Sequence, residues 1–137
     1  VITIEQYVGP HAQSPDWTPV RENYAVALLV CCADLEAEMV DDGVEFPDNP
    51  STVSGVSGQT FGGFRPQSCP QGAVNSSHKE ACGVDRYDPR GHIDTWCFKH
   101  QDRLAAHGIY IEAPVSTPGW SHWTTRAPRS GNRVFMP

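Results

Sequence analysis

The sequence predicts an α+β domain built from a small antiparallel sheet with flanking helices. Two stretches carry helical periodicity, at about 18–43 and 92–106. Two short β-rich runs, Ile109–Glu112 and Trp120–Thr124, lie either side of a loop. The 12 glycines and 12 prolines spread through the chain call for many turns and few long elements. At 137 residues the chain is one domain, 1–137, large enough to bury a core without disulfide staples.

The first helix is predicted to start at Thr18-Pro19, a hydroxyl N-cap followed by proline at the first helical position. Tyr24, Leu28, Cys31, Cys32, Leu35 and Met39 then recur at helical spacing, with Asp34, Glu36 and Glu38 off that stripe. Asp41-Asp42-Gly43 ends it. Residues 44–59 are loop by composition. Gln59–Arg65 is predicted as a short strand, with Gly62-Gly63 inviting a bulge. After a further loop and the stretch Ser77–Asp85, a second helix covers about His92–Ala106. Its buried face is Ile93, Trp96, Cys97, His100 and Leu104, and Gly108 stops it. The two β-rich runs follow, joined by a loop over Ala113–Pro118.

Charge and hydropathy remove several classes of function. The net charge is −6 and the basic residues are scattered, which argues against a nucleic-acid partner. Arg126, Arg129 and Arg133 form only a loose group, expected to be a solvated tail. The longest apolar run, Tyr24–Ala33, is about half a membrane span and is flanked by acids, so it is a core helix and no membrane span is expected. The N-terminal Val-Ile-Thr-Ile-Glu lacks the basic start and apolar stretch of a secretory signal. Five cysteines without regular spacing do not make a disulfide framework, although a single bridge between Cys69 and Cys82 stays open. His11, His92, His100 and His107 have no partner at a telling spacing and are expected to be structural or solvent-facing. Asn75-Ser76-Ser77 matches a glycosylation sequon that carries little weight here.

The chemistry concentrates in Ser77-His78-Lys79-Glu80-Ala81-Cys82-Gly83-Val84-Asp85. His78 and Asp85, seven residues apart, can meet at one point if the segment between them turns back into a strand. Imidazole nitrogen with carboxylate oxygen suits zinc, and a catalytic zinc takes three protein ligands. Taken alone, His-x6-Asp is a weak signal, and a metal site using Cys82 as third ligand is a further option.

Its surroundings add to it. Gly62-Gly63-Phe64-Arg65-Pro66 stands upstream, Asn75-Ser76-Ser77-His78 next, and Trp120-Ser121-His122 downstream. Over residues 18–127 this order resembles the zinc D-alanyl-D-alanine carboxypeptidase family, which includes phage endolysins and the hedgehog-type zinc fold. That family carries a Ser-Gly-x-Arg-like segment, then Ser-x-His-x6-Asp, then a strand bearing a Trp and a third ligand His. The resemblance implies a hedgehog/D-Ala-D-Ala peptidase-like fold with Zn2+ held by His78, Asp85 and His122. It also implies that Arg65 contacts a substrate carbonyl or carboxylate, for which a guanidinium fork is suited. Ser77 is expected to position substrate or the first ligand.

One part of the family pattern is missing. The family's general base stands about three residues before the third ligand, and that position is Gly119. The nearest upstream acid is Glu112, expected to lie across a hairpin from about Gly119 and to reach the metal's water. Two functions follow as expectations. The first is a zinc metallopeptidase cutting a bond in bacterial peptidoglycan stem peptides, of carboxypeptidase or endopeptidase type. It would be phage-encoded, act from the host cytoplasm or the virion on the cell wall, and have other virion proteins as further candidate partners. The second is a catalytically inactive, zinc-stabilised structural or binding module.

Overall fold

The structure, a computed structural model, describes residues 1–47 and 62–137. Its helices are α1 (Ile4–Val8), α2 (Pro19–Asp41), α3 (His92–Lys99) and α4 (Gln101–Ala106). Its strands are β1 (Gly83–Tyr87), β2 (Tyr110–Glu112), β3 (Trp120–Thr124) and β4 (Val134–Phe135), in the order β1-β3-β2-β4. The fold is therefore α+β, as the sequence predicts. The sheet is mixed and not wholly antiparallel, because β4 runs parallel to β2 while β1 and β2 both run antiparallel to β3. Two residues in a turn-rich tail give no alternation to detect, so β4 leaves no sequence signal.

α2 begins as expected, with the Thr18 hydroxyl accepting from the Arg21 N–H at 3.3 Å. Ala25, Leu28, Leu29, Cys32, Leu35 and Met39 are its buried face. Tyr24 was expected on that face but is 52% exposed, and Cys31 is half-buried. Both fall at the edge of a stripe centred on Cys32, where an α-helix turns them about 70–90° away from the core.

Two other expectations change. Residues 59–61 of the predicted strand lie outside the described residues, and 62–65 are irregular chain. That segment spends its hydrogen bonds on three neighbours: Phe64 N–H on Tyr7 O, Arg65 N–H on His78 O, and Gly62 O on Asp85 N–H. The predicted single helix over 92–106 breaks at His100, whose φ and ψ are −122° and 48°. Its ring stacks on Trp96 at 4.2 Å, and its Nδ1 takes the Trp96 carbonyl at 2.8 Å. The Trp96 carbonyl keeps the helical bond from the His100 N–H at 3.0 Å, and the chain restarts as α4 on the His100 carbonyl, which accepts from the Arg103 and Leu104 N–H groups.

α1 escaped the sequence reading because one turn of helix is too short for periodicity. It carries a Thr3/Gln6 capping box and delivers Tyr7, whose hydroxyl donates to the Gly83 carbonyl at 2.8 Å. Gly63 passes directly against Tyr7, where an added Cβ would lie 2.1 Å from the Tyr7 carbonyl oxygen. Only glycine permits that approach.

The core lies between the helices and one face of the sheet. Val84, Trp123 and Ile111 form a row across β1, β3 and β2 and join Leu28, Cys32, Leu35, Ile93 and Cys97 in one buried cluster. Strand alternation sends the neighbouring row to the other face. No helix among the described residues is long and apolar enough to cross a membrane.

Candidate metal centre

The neighbouring row carries the site. Asp85 on β1 pairs with His122 on β3. β2 pairs Tyr110 with Thr124 and Ile111 with Trp123, and one further step of that register sets Glu112 opposite His122. Glu112 in turn pairs with Phe135 on β4. Asp85, His122, Glu112 and Phe135 therefore cross the sheet in line, and all four line one cleft of about 750 Å³.

His78 joins them from the turn before β1. Among the described residues, His78, Asp85 and His122 are the cluster able to hold a metal ion, with donor atoms all within 4.8 Å of one another. His78 Nε2 lies 3.3 Å from Asp85 Oδ1, and His122 Nδ1 lies 2.8 Å from the same oxygen. A tetrahedral site with bonds of about 2.0 Å needs donors about 3.3 Å apart, which the His78–Asp85 pair already meets while the His122–Asp85 contact has to open.

Each imidazole is anchored through its other nitrogen. His78 Nδ1 is 2.8 Å from the Gly63 carbonyl, and His122 Nε2 is 3.0 Å from the Ser77 hydroxyl. Outer partners of this kind fix ring orientation and tautomer in metal sites, which leaves His78 Nε2 and His122 Nδ1 as the donors. The protonation states suit the same task. Burial pushes the Asp85 carboxyl up, but His78 and His122 together outweigh it and hold the group far below its ordinary range. Burial lowers His78, against the opposing pull of Asp85, and so favours the neutral ring that binds metals.

Ser77 acts on the third ligand of the set and not on His78. The order Ser77 Oγ, His122, Asp85 Oδ1 also has the connectivity of a serine nucleophile relay. Ser77 is only 5% exposed, and Gly83 packs so closely that a Cβ there would lie 2.2 Å from its oxygen. Burial on that side disfavours attack on a substrate, and the hydroxyl serves to orient His122.

Arg65 reaches the same cleft and pairs with Asp85 Oδ2 at 3.2 Å. Burial lowers its pKa, opposed first by the Asp85 carboxylate. Glu112 does not face Gly119 as expected. The short 3-10 turn Pro114–Ser116 and the residues after it shift the register, and Gly119 instead offers its carbonyl to Asp88 N–H. Gly119 has φ +83° at this turn, a conformation that glycine adopts without strain.

Cys82 is not part of the cluster; its thiol donates weakly to the Ser77 carbonyl at 3.5 Å. Cys69 and Cys82 are both free thiols. His107 binds Glu38 at 2.6 Å, His100 stacks on Trp96, and His11 meets Phe64 edge-on. Arg126 and Arg129 are exposed, as expected of a solvated tail, and they also line the cleft. Arg126 follows directly on β3, where the Thr124 hydroxyl accepts its N–H. Arg133 does not join them: it lies over Tyr110 and donates to the Ile109 carbonyl. Comparison with known protein families, with curated proteins and with solved structures finds no match to this chain.

Proposed function

We propose that the protein is a zinc-dependent metallopeptidase that hydrolyses a peptide bond in bacterial peptidoglycan stem peptides, with a hedgehog/D-Ala-D-Ala peptidase-like fold. The observation that carries this proposal is the set of three donors with both imidazoles anchored from behind, opening into a cleft that also holds Arg65 and Glu112. Nitrogen, oxygen and nitrogen donors at this spacing fit zinc better than the oxygen-rich sets of magnesium or calcium. Zinc in such a site supplies Lewis acidity and a water acidic enough to lose a proton near neutral pH.

The chain's own groups divide the remaining work. Glu112, beside His122 in the cleft, accepts a proton from the attacking water and returns it to the leaving amine. Arg65 steadies the oxyanion that develops on the scissile carbonyl, or holds a terminal carboxylate, through its planar donor fork. Ser77 and the Gly63 carbonyl keep the two imidazoles in place while charge shifts. Action on the cell wall from a phage-infected cytoplasm or from a virion belongs to the same proposal.

Zinc-loaded protein should release stem-peptide fragments from purified peptidoglycan, detected by mass spectrometry. A chelator should stop release and added zinc should restore it. Absence of turnover on every murein substrate sinks the proposal. It would favour a second reading, an inactive zinc-stabilised module, for which the specific support is a turn glycine, Gly119, at the position where the family carries its acid.

A further inference from the structure

Two of the three arginines that line the cleft, the exposed Arg126 and Arg129, have no structural employment among the described residues. Other arginines of the chain do: Arg86 pairs with Glu36, Arg103 with Glu38, Arg21 holds the Lys79 and Asp16 carbonyls, and Arg133 holds Ile109. Among the described residues the guanidinium groups of Arg126 and Arg129 make no hydrogen bond or ion pair. The chain around them is nevertheless fixed. Thr124 donates its hydroxyl to the Cys82 carbonyl and accepts the Arg126 N–H at 3.0 Å, which ties Arg126 to the end of the ligand-bearing strand. A turn closed by Gly131 N–H on the Pro128 carbonyl sets the position of Arg129.

Their setting is unusual for this chain. The protein as a whole carries −6, yet the cleft is lined by Arg65, Arg126 and Arg129 against the acids Asp85 and Glu112. Asp85 is already engaged by Arg65 and both imidazoles. A bound divalent cation would make the cleft more positive still. Phe135 and Met136 supply an apolar wall beside the arginines. The three guanidinium groups outnumber the two carboxylates, and a surplus of one sign in a cleft draws in ligands of the opposite sign.

We propose that Arg126 and Arg129 form an anion subsite that recognises a carboxylate of the peptide substrate at a distance from the bond being cut. The ligand class is an acidic peptide, whose backbone lies along the apolar wall while an internal side-chain carboxylate meets the two guanidinium forks. This rests on the peptidase assignment for its consequence in catalysis, but not for binding itself. Because Arg65 engages groups at the metal, Arg126 and Arg129 select the substrate without taking part in bond cleavage.

The test uses a stem peptide with one internal acidic residue and the same peptide with that side-chain carboxyl amidated, both with a free terminal carboxylate. Binding is measured by calorimetry on metal-free protein, and kcat and KM on zinc-loaded protein. Wild type should favour the acidic peptide about tenfold in Kd, the size of a charge-assisted contact at a partly exposed site. That preference should weaken with salt. R126Q/R129Q should lose it, with the KM for the acidic peptide raised about tenfold to match that of the amidated one, and R90Q, altered at an exposed arginine outside the cleft, should keep it. Equal binding of the two peptides by wild type, no binding of either, or an unchanged preference in R126Q/R129Q overturns the subsite. Peptide cleavage without the preference leaves the peptidase assignment standing and removes the subsite. The preference without cleavage does the reverse.

Discussion

Two rows of side chains cross the same three strands one residue apart and meet opposite surroundings. Val84, Trp123 and Ile111 are fully buried against the helices. Asp85, His122 and Glu112 face the cleft. One register fixes both, because adjacent strand residues point to opposite faces and a slip of one residue would exchange them. The apolar row therefore does more than stabilise the sheet: by holding Trp123 in the core it determines where the His122 ring points. The polar row contributes little to the core and is free to carry chemistry. Precision at the cleft is inherited from packing on the other side.

That dependence can be broken most severely from the core side. Trp123→Ala removes the largest fully buried side chain of the row and is expected to cost about 3–5 kcal/mol. Denaturant unfolding should register the loss, and zinc retention should fall with it although no donor atom has changed. Zinc retention at the wild-type level in the folded variant would separate the two rows.

Glu112→Gln tests the polar row alone. It should leave stability and zinc content near wild type and lower kcat by about 10²–10⁴-fold, the usual contribution of a general base. Unchanged turnover would remove Glu112 from the chemistry. A smaller effect is expected behind the ligands. Ser77→Ala removes the partner of His122 Nε2, and Gly83→Ala crowds the same hydroxyl. Each should weaken zinc binding about 10–100-fold in a competition titration, the range for outer partners of metal ligands. Full affinity in both variants would mean that Ser77 does not orient His122.

The smallest effect lies outside both rows. Hydrogen bonds from Arg103 and then His107 hold the Glu38 carboxyl at about 2, below its ordinary 4.5. A depressed folded-state pKa stabilises above the unfolded value and loses that contribution as pH falls from about 4.5 toward 2. The side chain is about a third exposed, so solvent screening holds the contribution under about 1 kcal/mol. Glu38→Gln should flatten acid unfolding in that window and leave zinc binding at neutral pH untouched.

What was legible in the sequence divides along the same line. The span of α2, the strands β2 and β3 and the pairing of His78 with Asp85 could be read from spacing and residue type, whereas His122 entered through the family resemblance. His78 and Asp85 are seven residues apart because a turn and the start of β1 separate them, and that is a local relation. The anchors of the imidazoles were not legible, since a backbone carbonyl such as that of Gly63 has no side chain to mark it. The position of Glu112 depended on how many residues the 114–116 turn absorbs, which composition does not fix. The cleft beside the exposed Arg126 and Arg129 was not legible either, because all four strands contribute to its lining.

The most direct test of the metal centre is zinc content at equilibrium in wild type and His122→Ala, each dialysed against a weak chelator and checked for folding. One zinc per wild-type chain, lost in His122→Ala, is the predicted result. Stoichiometric zinc retained by folded His122→Ala, or none bound by wild type, would contradict the assignment of His78, Asp85 and His122 as the ligands.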